Sequence, residues 1–110
     1  MTDSPVELTP DGHHVVINGR RWRATDPLIP EADAAQLRTM LMAARRDVGA
    51  ALKAEDSTAE RAARDCVQAA KVALGERGTP WWEQSDEERR TRWQSGLRSD
   101  DAAATHQGEG

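Results

Sequence analysis

The dipeptide Asn18-Gly19 constrains the fold of this chain more tightly than any other short feature of its sequence. It separates two short runs of strand-favouring residues, 14–17 and 20–23. Asparagine and glycine both tolerate the positive φ angles of a two-residue turn, so the sequence predicts a β-hairpin. The cross-strand partners follow from this turn: Ile17 with Arg20, Val16 with Arg21, Val15 with Trp22, and His14 with Arg23.

The predicted hairpin has two unlike faces, because successive side chains of a strand point to opposite sides. The apolar face carries Val15, Ile17 and Trp22 beside Arg20. The basic face carries His14, Val16, Arg21 and Arg23. We expect the apolar face to rest on the remainder of the protein and the basic face to point outward. Residues 6–9 alternate in the same way before a turn signal at 10–12, which predicts a first strand and a three-stranded meander.

Two seams of small and apolar residues predict a pair of packed helices. The first helix runs from 31 to about 54, and its seam repeats at steps of four and three: Leu37, Leu41, Ala44, Val48 and Ala51. The second begins near Thr58 and carries Ala59, Ala63, Cys66, Ala70 and Ala73. The short connection between them predicts an antiparallel helical hairpin with closely spaced axes. Cys66 is expected to be a packed, inert thiol, and Gly78 is the preferred left-handed stop of the second helix.

The remaining sequence completes the predicted architecture. Residues 85–88 have capping-box spacing and predict a short polar helix to about Leu97, followed by a disordered tail. The fold class is therefore α+β and mostly α, with the β-hairpin or meander packed on the two-helix hairpin. Residues 13–83 form the predicted single folded domain. Residues 1–12 are an acidic N-terminal segment, and residues 84–110 are an acidic C-terminal extension.

Composition limits the functions that this fold can support. The chain has 110 residues, of which 37% are apolar, and it contains neither Phe nor Tyr. Such a chain builds a small core, so a large enclosed substrate cavity is not expected. The net charge of −4 gives no support to strong nucleic-acid binding. With one cysteine, no secretory signal and no apolar run that spans a bilayer, the expected location is the cytoplasm.

The patterns that carry catalytic or metal chemistry are weak. The adjacent His13 and His14 would point to opposite faces of a strand and would not grip one ion together. Paired carboxylates lie at helix starts or in the tail, where acids are common for other reasons. We therefore expect neither an enzyme nor a metal or other cofactor.

Arginine and tryptophan give the sequence its best candidate for function. The leading hypothesis is a non-enzymatic module that binds an acidic protein partner through arginines, with Trp81 or Trp82 as an apolar anchor. The runner-up is nucleic-acid binding through the same basic surface. In a third interpretation the hairpin arginines have no binding role. They are either solvated or form ion pairs within the fold with acids such as Asp26 or Glu83. A homodimer that covers Met40, Leu52 and Val67 is a further hypothesis.

Three motifs give the chain a resemblance to a family of small uncharacterised bacterial proteins. They are Arg-Trp-Arg-Ala-Thr-Asp-Pro at 21–27, Met-Ala-Ala-Arg-Arg at 42–46, and Ala-Leu-Gly-Glu-Arg-Gly-Thr-Pro-Trp-Trp at 73–82. The resemblance covers about residues 13–83, and some members carry the label biopolymer transporter Tol. It implies no established activity and no catalytic residues. The positions that it implies for a partner-binding site are Arg21, Trp22, Arg23, Arg45, Arg46, Arg77, Trp81 and Trp82.

Overall fold

The chain folds into a small antiparallel sheet followed by helices, as the α+β prediction requires. The structure is a computed structural model that describes residues 7–109, with side chains described for residues 7–98. The three strands form a sheet of order β1-β2-β3. The elements are β1 (Glu7–Leu8), β2 (His14–Ile17), β3 (Arg20–Arg23), α1 (Glu31–Ala54), α2 (Ser57–Ala73), a 3-10 turn (Trp81–Glu83) and α3 (Asp86–Glu109).

The β2–β3 hairpin confirms the predicted register. Val15 pairs with Trp22 and Ile17 pairs with Arg20. The turn residues Asn18 and Gly19 have φ angles of 52° and 79°. These positive angles match the right-handed twist of the flanking strands, which is why this dipeptide specifies so short a connection.

The sheet joins the helices through its base rather than through its apolar face. The Trp81 indole Nε1 donates to the Ala24 carbonyl over 2.9 Å, and the Asp26 amide donates to the Leu74 carbonyl over 3.0 Å. By contrast, Leu8 and Trp22 on the apolar face are 64% and 42% exposed. The expectation that this face rests on the remainder of the protein is therefore wrong, because the linker from 24 to 30 attaches the sheet by one end.

The helical hairpin of α1 and α2 buries most of both predicted seams. The buried seam residues are Leu37, Leu41, Ala44, Ala51, Ala63, Ala70 and Ala73. Cys66 is exposed, so the prediction of a packed thiol is wrong. It lines an open groove with Ala50 and Ala62, whose side chains are too small to cover it.

Helix α2 ends one glycine earlier than predicted. Gly75 has a φ of +83°, its amide donates to the Val72 carbonyl, and the Glu76 amide donates to the Lys71 carbonyl. These two bonds form a Schellman motif, which places the left-handed residue at Gly75. A side chain at Gly75 would be strained, because φ is positive and because its Cβ atom would lie only 3.0 Å from Asp26 Cβ.

The packed core continues past residue 83 into α3. Trp93 is 4% exposed and lies in one cluster with Ile29, Leu37, Leu41 and Leu74. Leu97 packs against the same cluster. The first part of α3 is therefore an integral part of the packed unit, while its helical backbone continues beyond the predicted end near Leu97 to Glu109.

Gly96 marks a close approach between α3 and α2, and we expect its substitution by alanine to destabilise the protein. A Cβ atom at Gly96 would lie 2.5 Å from Ala73 Cβ. Alanine normally stabilises a helix interior relative to glycine, but this overlap should instead lower the free energy of unfolding by about 1–3 kcal/mol. Gly49→Ala is the matched control, because nothing lies within 4 Å of its added Cβ. Urea denaturation should show a lower free energy of unfolding for Gly96→Ala and a higher one for Gly49→Ala. A stabilised Gly96→Ala protein would contradict the close packing.

Candidate functional site

A groove between α1 and α2 carries a cluster of arginines over an apolar floor. Its volume is about 610 Å³, and we call it the arginine groove. Its lining residues are Arg45, Val48, Arg64, Asp65, Val67, Gln68 and Arg77. Arg45 and Val48 lie three residues apart on α1, as Arg64 and Val67 do on α2, so each helix presents one arginine above one valine.

Hydrogen bonds hold two of these arginines against the helices. Arg77 Nη1 donates to Gln68 Oε1 over 2.6 Å. Arg64 Nε donates to the Glu60 carboxylate over 2.8 Å. Gln68 carries no charge, whereas the Glu60 carboxylate forms an ion pair with Arg64. The positive charge of the arginine groove therefore comes mainly from Arg45 and Arg77, and it lies beside two half-buried valines.

A second cluster lies at the base of the hairpin, where the sheet meets the loop after α2. Arg23 Nη1 donates to the Gly78 carbonyl over 2.7 Å, directly after Arg77 in the chain. Trp82 stacks on His13 with ring centroids 3.9 Å apart and planes only 4° from parallel. The Arg23 guanidinium lies 5.8 Å from the Trp82 ring centroid, within the range of a cation–π contact.

The structure brings some of the predicted site residues together and separates others. Arg45 and Arg77 share the arginine groove, and Arg23 and Trp82 share the second cluster. Three other predicted site residues are exposed but belong to neither cluster: Arg21, Trp22 and Arg46. Of these, Trp22 lies beneath Arg20, whose guanidinium carbon is 4.7 Å from its ring centroid.

Trp81 does not fit the role of an exposed apolar anchor. Its side chain is buried, and its indole N–H is already bonded to the Ala24 carbonyl. Trp81 is instead part of the packing at the base of the hairpin. Sequence reasoning missed Arg64, although its three-residue spacing from Val67 is the same as that of Arg45 from Val48.

The most strongly interacting charged group lies elsewhere, at the junction of the linker, α2 and α3. Asp26 is 1% exposed. Arg89 donates to both of its carboxylate oxygens, and Arg92 donates to Oδ2. The Leu28 amide N–H also donates to Asp26 Oδ1 over 2.8 Å. Asp26 therefore pairs with arginines of α3 and not with the hairpin arginines considered as its partners from sequence.

Two opposing effects set the pKa of Asp26. Burial raises the pKa, because it removes the carboxylate from water, but the hydrogen bonds from Arg89, Arg92 and the Leu28 amide outweigh this effect. The net pKa lies below the ordinary value of 3.8. The pKa of Arg89 is raised in turn, chiefly by its hydrogen bond to Asp26. The group is thus an ionised buried cluster that connects three parts of the fold.

Comparison with known proteins leaves the function to be inferred from this geometry. No family model matches the chain, and the searches of curated proteins and of solved structures likewise give no match. Within residues 7–109, no helix has the length and apolar character needed to cross a membrane.

Proposed function

We propose that this protein is a non-enzymatic interaction module that binds an acidic segment of a protein partner in the arginine groove. The observation that supports the proposal is the convergence of Arg45, Arg64 and Arg77 around Val48 and Val67. The proposal includes the cytoplasmic location expected from the sequence.

The chemistry of the groove favours a partner with both carboxylates and apolar side chains. Guanidinium groups form paired hydrogen bonds with carboxylates, which fixes orientation as well as adding affinity. The half-buried Val48 and Val67 offer apolar area between these charges. An acidic amphipathic helix laid between α1 and α2 would satisfy both requirements, because its apolar face would cover the valines.

A protein partner suits this site better than nucleic acid does. The chain has a net charge of −4, and Asp65 lies within the lining of the groove. A phosphate backbone would meet that carboxylate as a like charge, whereas an acidic helix can place an apolar or amide side chain opposite it. Nucleic-acid binding remains the second hypothesis, and its steep salt dependence separates the two.

We expect the double substitution Arg45→Glu and Arg77→Glu to reduce partner binding by roughly a hundredfold, because like charges would then face each other across the interface. The matched control is Arg61→Glu with Arg90→Glu, which changes the net charge equally at two exposed positions outside the groove. The tagged chain would be used to capture partners from a lysate of its own cells, with a photo-crosslinker at Asp65 to mark contact with the groove.

The crosslinked product decides between the hypotheses. The proposal requires a protein whose crosslinked peptide is rich in Asp and Glu, recovered with the control variant but not with the groove variant. Equal recovery with both variants would show that the arginine groove is not the contact surface. Loss of the captured material on nuclease treatment would instead support nucleic-acid binding.

A further inference from the structure

Strand β3 is an unpaired edge of the sheet in the part of the chain that the structure describes. The strand order places β2 in the middle, so β3 has a neighbour on one side only. Arg20, Arg21 and Trp22 along this strand are all exposed. An exposed edge of this kind offers its free backbone groups to another strand.

The register identifies which backbone groups point outward. The Ala24 amide donates to the His13 carbonyl, so His13 and Ala24 form a hydrogen-bonded pair. Such pairs alternate along an antiparallel ladder, so Trp22 is bonded to β2, whereas Arg21 and Arg23 direct their amide and carbonyl groups away from it. Arg21 is the more exposed of these two residues.

The two faces of the sheet specify what kind of strand fits beside this edge. Arg21 lies on the basic face, opposite Val16. Trp22 lies on the apolar face, in register with Val15 and Leu8. A strand added beside β3 would direct alternate side chains to these two faces. Acidic residues would meet the arginines, and apolar residues would lie beside the exposed Trp22.

The charge of the edge disfavours a second copy of this chain as the occupant. Three of the four residues of β3 are arginines. Pairing of β3 with β3 of another copy would place these arginines against one another, and like charges opposite each other destabilise a ladder. Edge charges commonly prevent such self-association, and three arginines along the edge favour an added strand of opposite charge.

We infer that the β3 edge binds an extended peptide segment in which acidic and apolar residues alternate, by addition of a fourth strand to the sheet. This inference goes beyond the proposed function, because the edge lies outside the arginine groove. The backbone groups of Arg21 hold the added strand, its carboxylates contact Arg21 and Arg23, and its apolar side chains cover Trp22.

A capped synthetic peptide that alternates glutamate and valine is the probe, and calorimetry on the full chain measures its affinity. We expect Arg21→Ala to weaken binding about two- to fivefold through loss of an exposed charge. Arg21→Pro should weaken it roughly tenfold further, because proline removes the outward amide donor. Proline is tolerated at this position, since the lost N–H is not part of the β2–β3 ladder.

Amide exchange measured by NMR gives a second readout that does not depend on any variant. The Arg21 amide should exchange rapidly in the free protein and become protected when the peptide binds. The Trp22 amide, already bonded to β2, should be protected in both states.

Any one of the following results would overturn the inference. They are no measurable binding, equal binding of a control peptide with the same residues in two blocks, equal affinities for Arg21→Ala and folded Arg21→Pro, and unchanged Arg21 exchange. The Arg45→Glu and Arg77→Glu variant should bind the peptide normally. A loss of binding in that variant would place the peptide in the arginine groove and would also overturn the inference.

Discussion

Replacing Asp26 with asparagine should lower the free energy of unfolding by about 3–5 kcal/mol, because it leaves two arginines without their shared carboxylate in a buried position. The side chains of Arg89 and Arg92 are only 14% and 9% exposed, so water does not replace the lost interaction. A small domain has a total stability of about 5–15 kcal/mol, so this variant should be close to unfolding. Urea denaturation followed by tryptophan fluorescence measures the change.

The control for this prediction is Asp86→Asn, which removes a different carboxylate from the same arginine. Asp86 lies 3.7 Å from Arg89, and its side chain is 75% exposed. An ion pair with a solvent-exposed carboxylate contributes about 1 kcal/mol or less, so the control should remain nearly as stable as the parent protein. Equal stabilities of the Asp26 variant and the control would show that the buried cluster does not hold the fold together.

The same cluster predicts how stability depends on pH. The pKa of Asp26 in the folded state lies below its ordinary value of 3.8. Its ionised form therefore contributes stability above that pH, and this contribution is lost as the pH falls through the folded pKa. The urea midpoint of the parent protein should fall more steeply below about pH 4 than that of Asp26→Asn. Parallel profiles would contradict the pKa direction.

Replacing Trp93 with alanine should have a comparable effect and should lower the free energy of unfolding by about 3–5 kcal/mol. Trp93 is 4% exposed and belongs to the core formed by α1, α2 and the linker. Its removal leaves a cavity between helices and loosens α3, which also holds Arg89 and Arg92. Circular dichroism in urea measures the change without depending on the lost fluorophore.

Two further variants show whether the loss comes from buried packing. Trp22→Ala removes the same side chain from the 42% exposed position on the sheet, so it should cost about 1 kcal/mol or less. Trp93→Phe keeps most of the ring and removes an indole N–H that has no acceptor among the described residues. It should therefore be much milder than Trp93→Ala, since the lost N–H was buried without a partner. A stable Trp93→Ala protein would mean that α3 is a dispensable extension.

The candidate site was predictable in part. Arg45 and Arg77 are predicted site residues because they lie in the motifs at 42–46 and 73–82, but the groove that they share depends on how α1 and α2 pack. Arg64 was missed because its importance comes from a neighbour on the other helix. Trp81 and Trp82 look equivalent in sequence, and only the packed structure shows that Trp81 is buried.

The contacts of α3 were the least accessible to sequence reasoning. Asp26 is separated from Arg89 by 63 positions and from Arg92 by 66. In the sequence, Arg89 and Arg92 belong to a short polar helix in which Trp93 and Leu97 lie four residues apart on one side. This spacing identifies an apolar side of the helix, but it does not identify the distant residues that Trp93, Arg89 and Arg92 contact.

Local interactions account for everything that the sequence by itself determined: the Asn18-Gly19 turn with its register, the span of α1, and the pairing of two small-residue seams. Steric limits on φ and the repeat of a helix act within a few residues, so they can be read from neighbours in the chain. Only the tertiary structure determined that Asp26 forms an ion cluster with Arg89 and Arg92 and that Trp93 is buried. It also determined that Cys66 and the apolar face of the sheet are exposed. Those outcomes depend on which distant surfaces meet and remove water from one another.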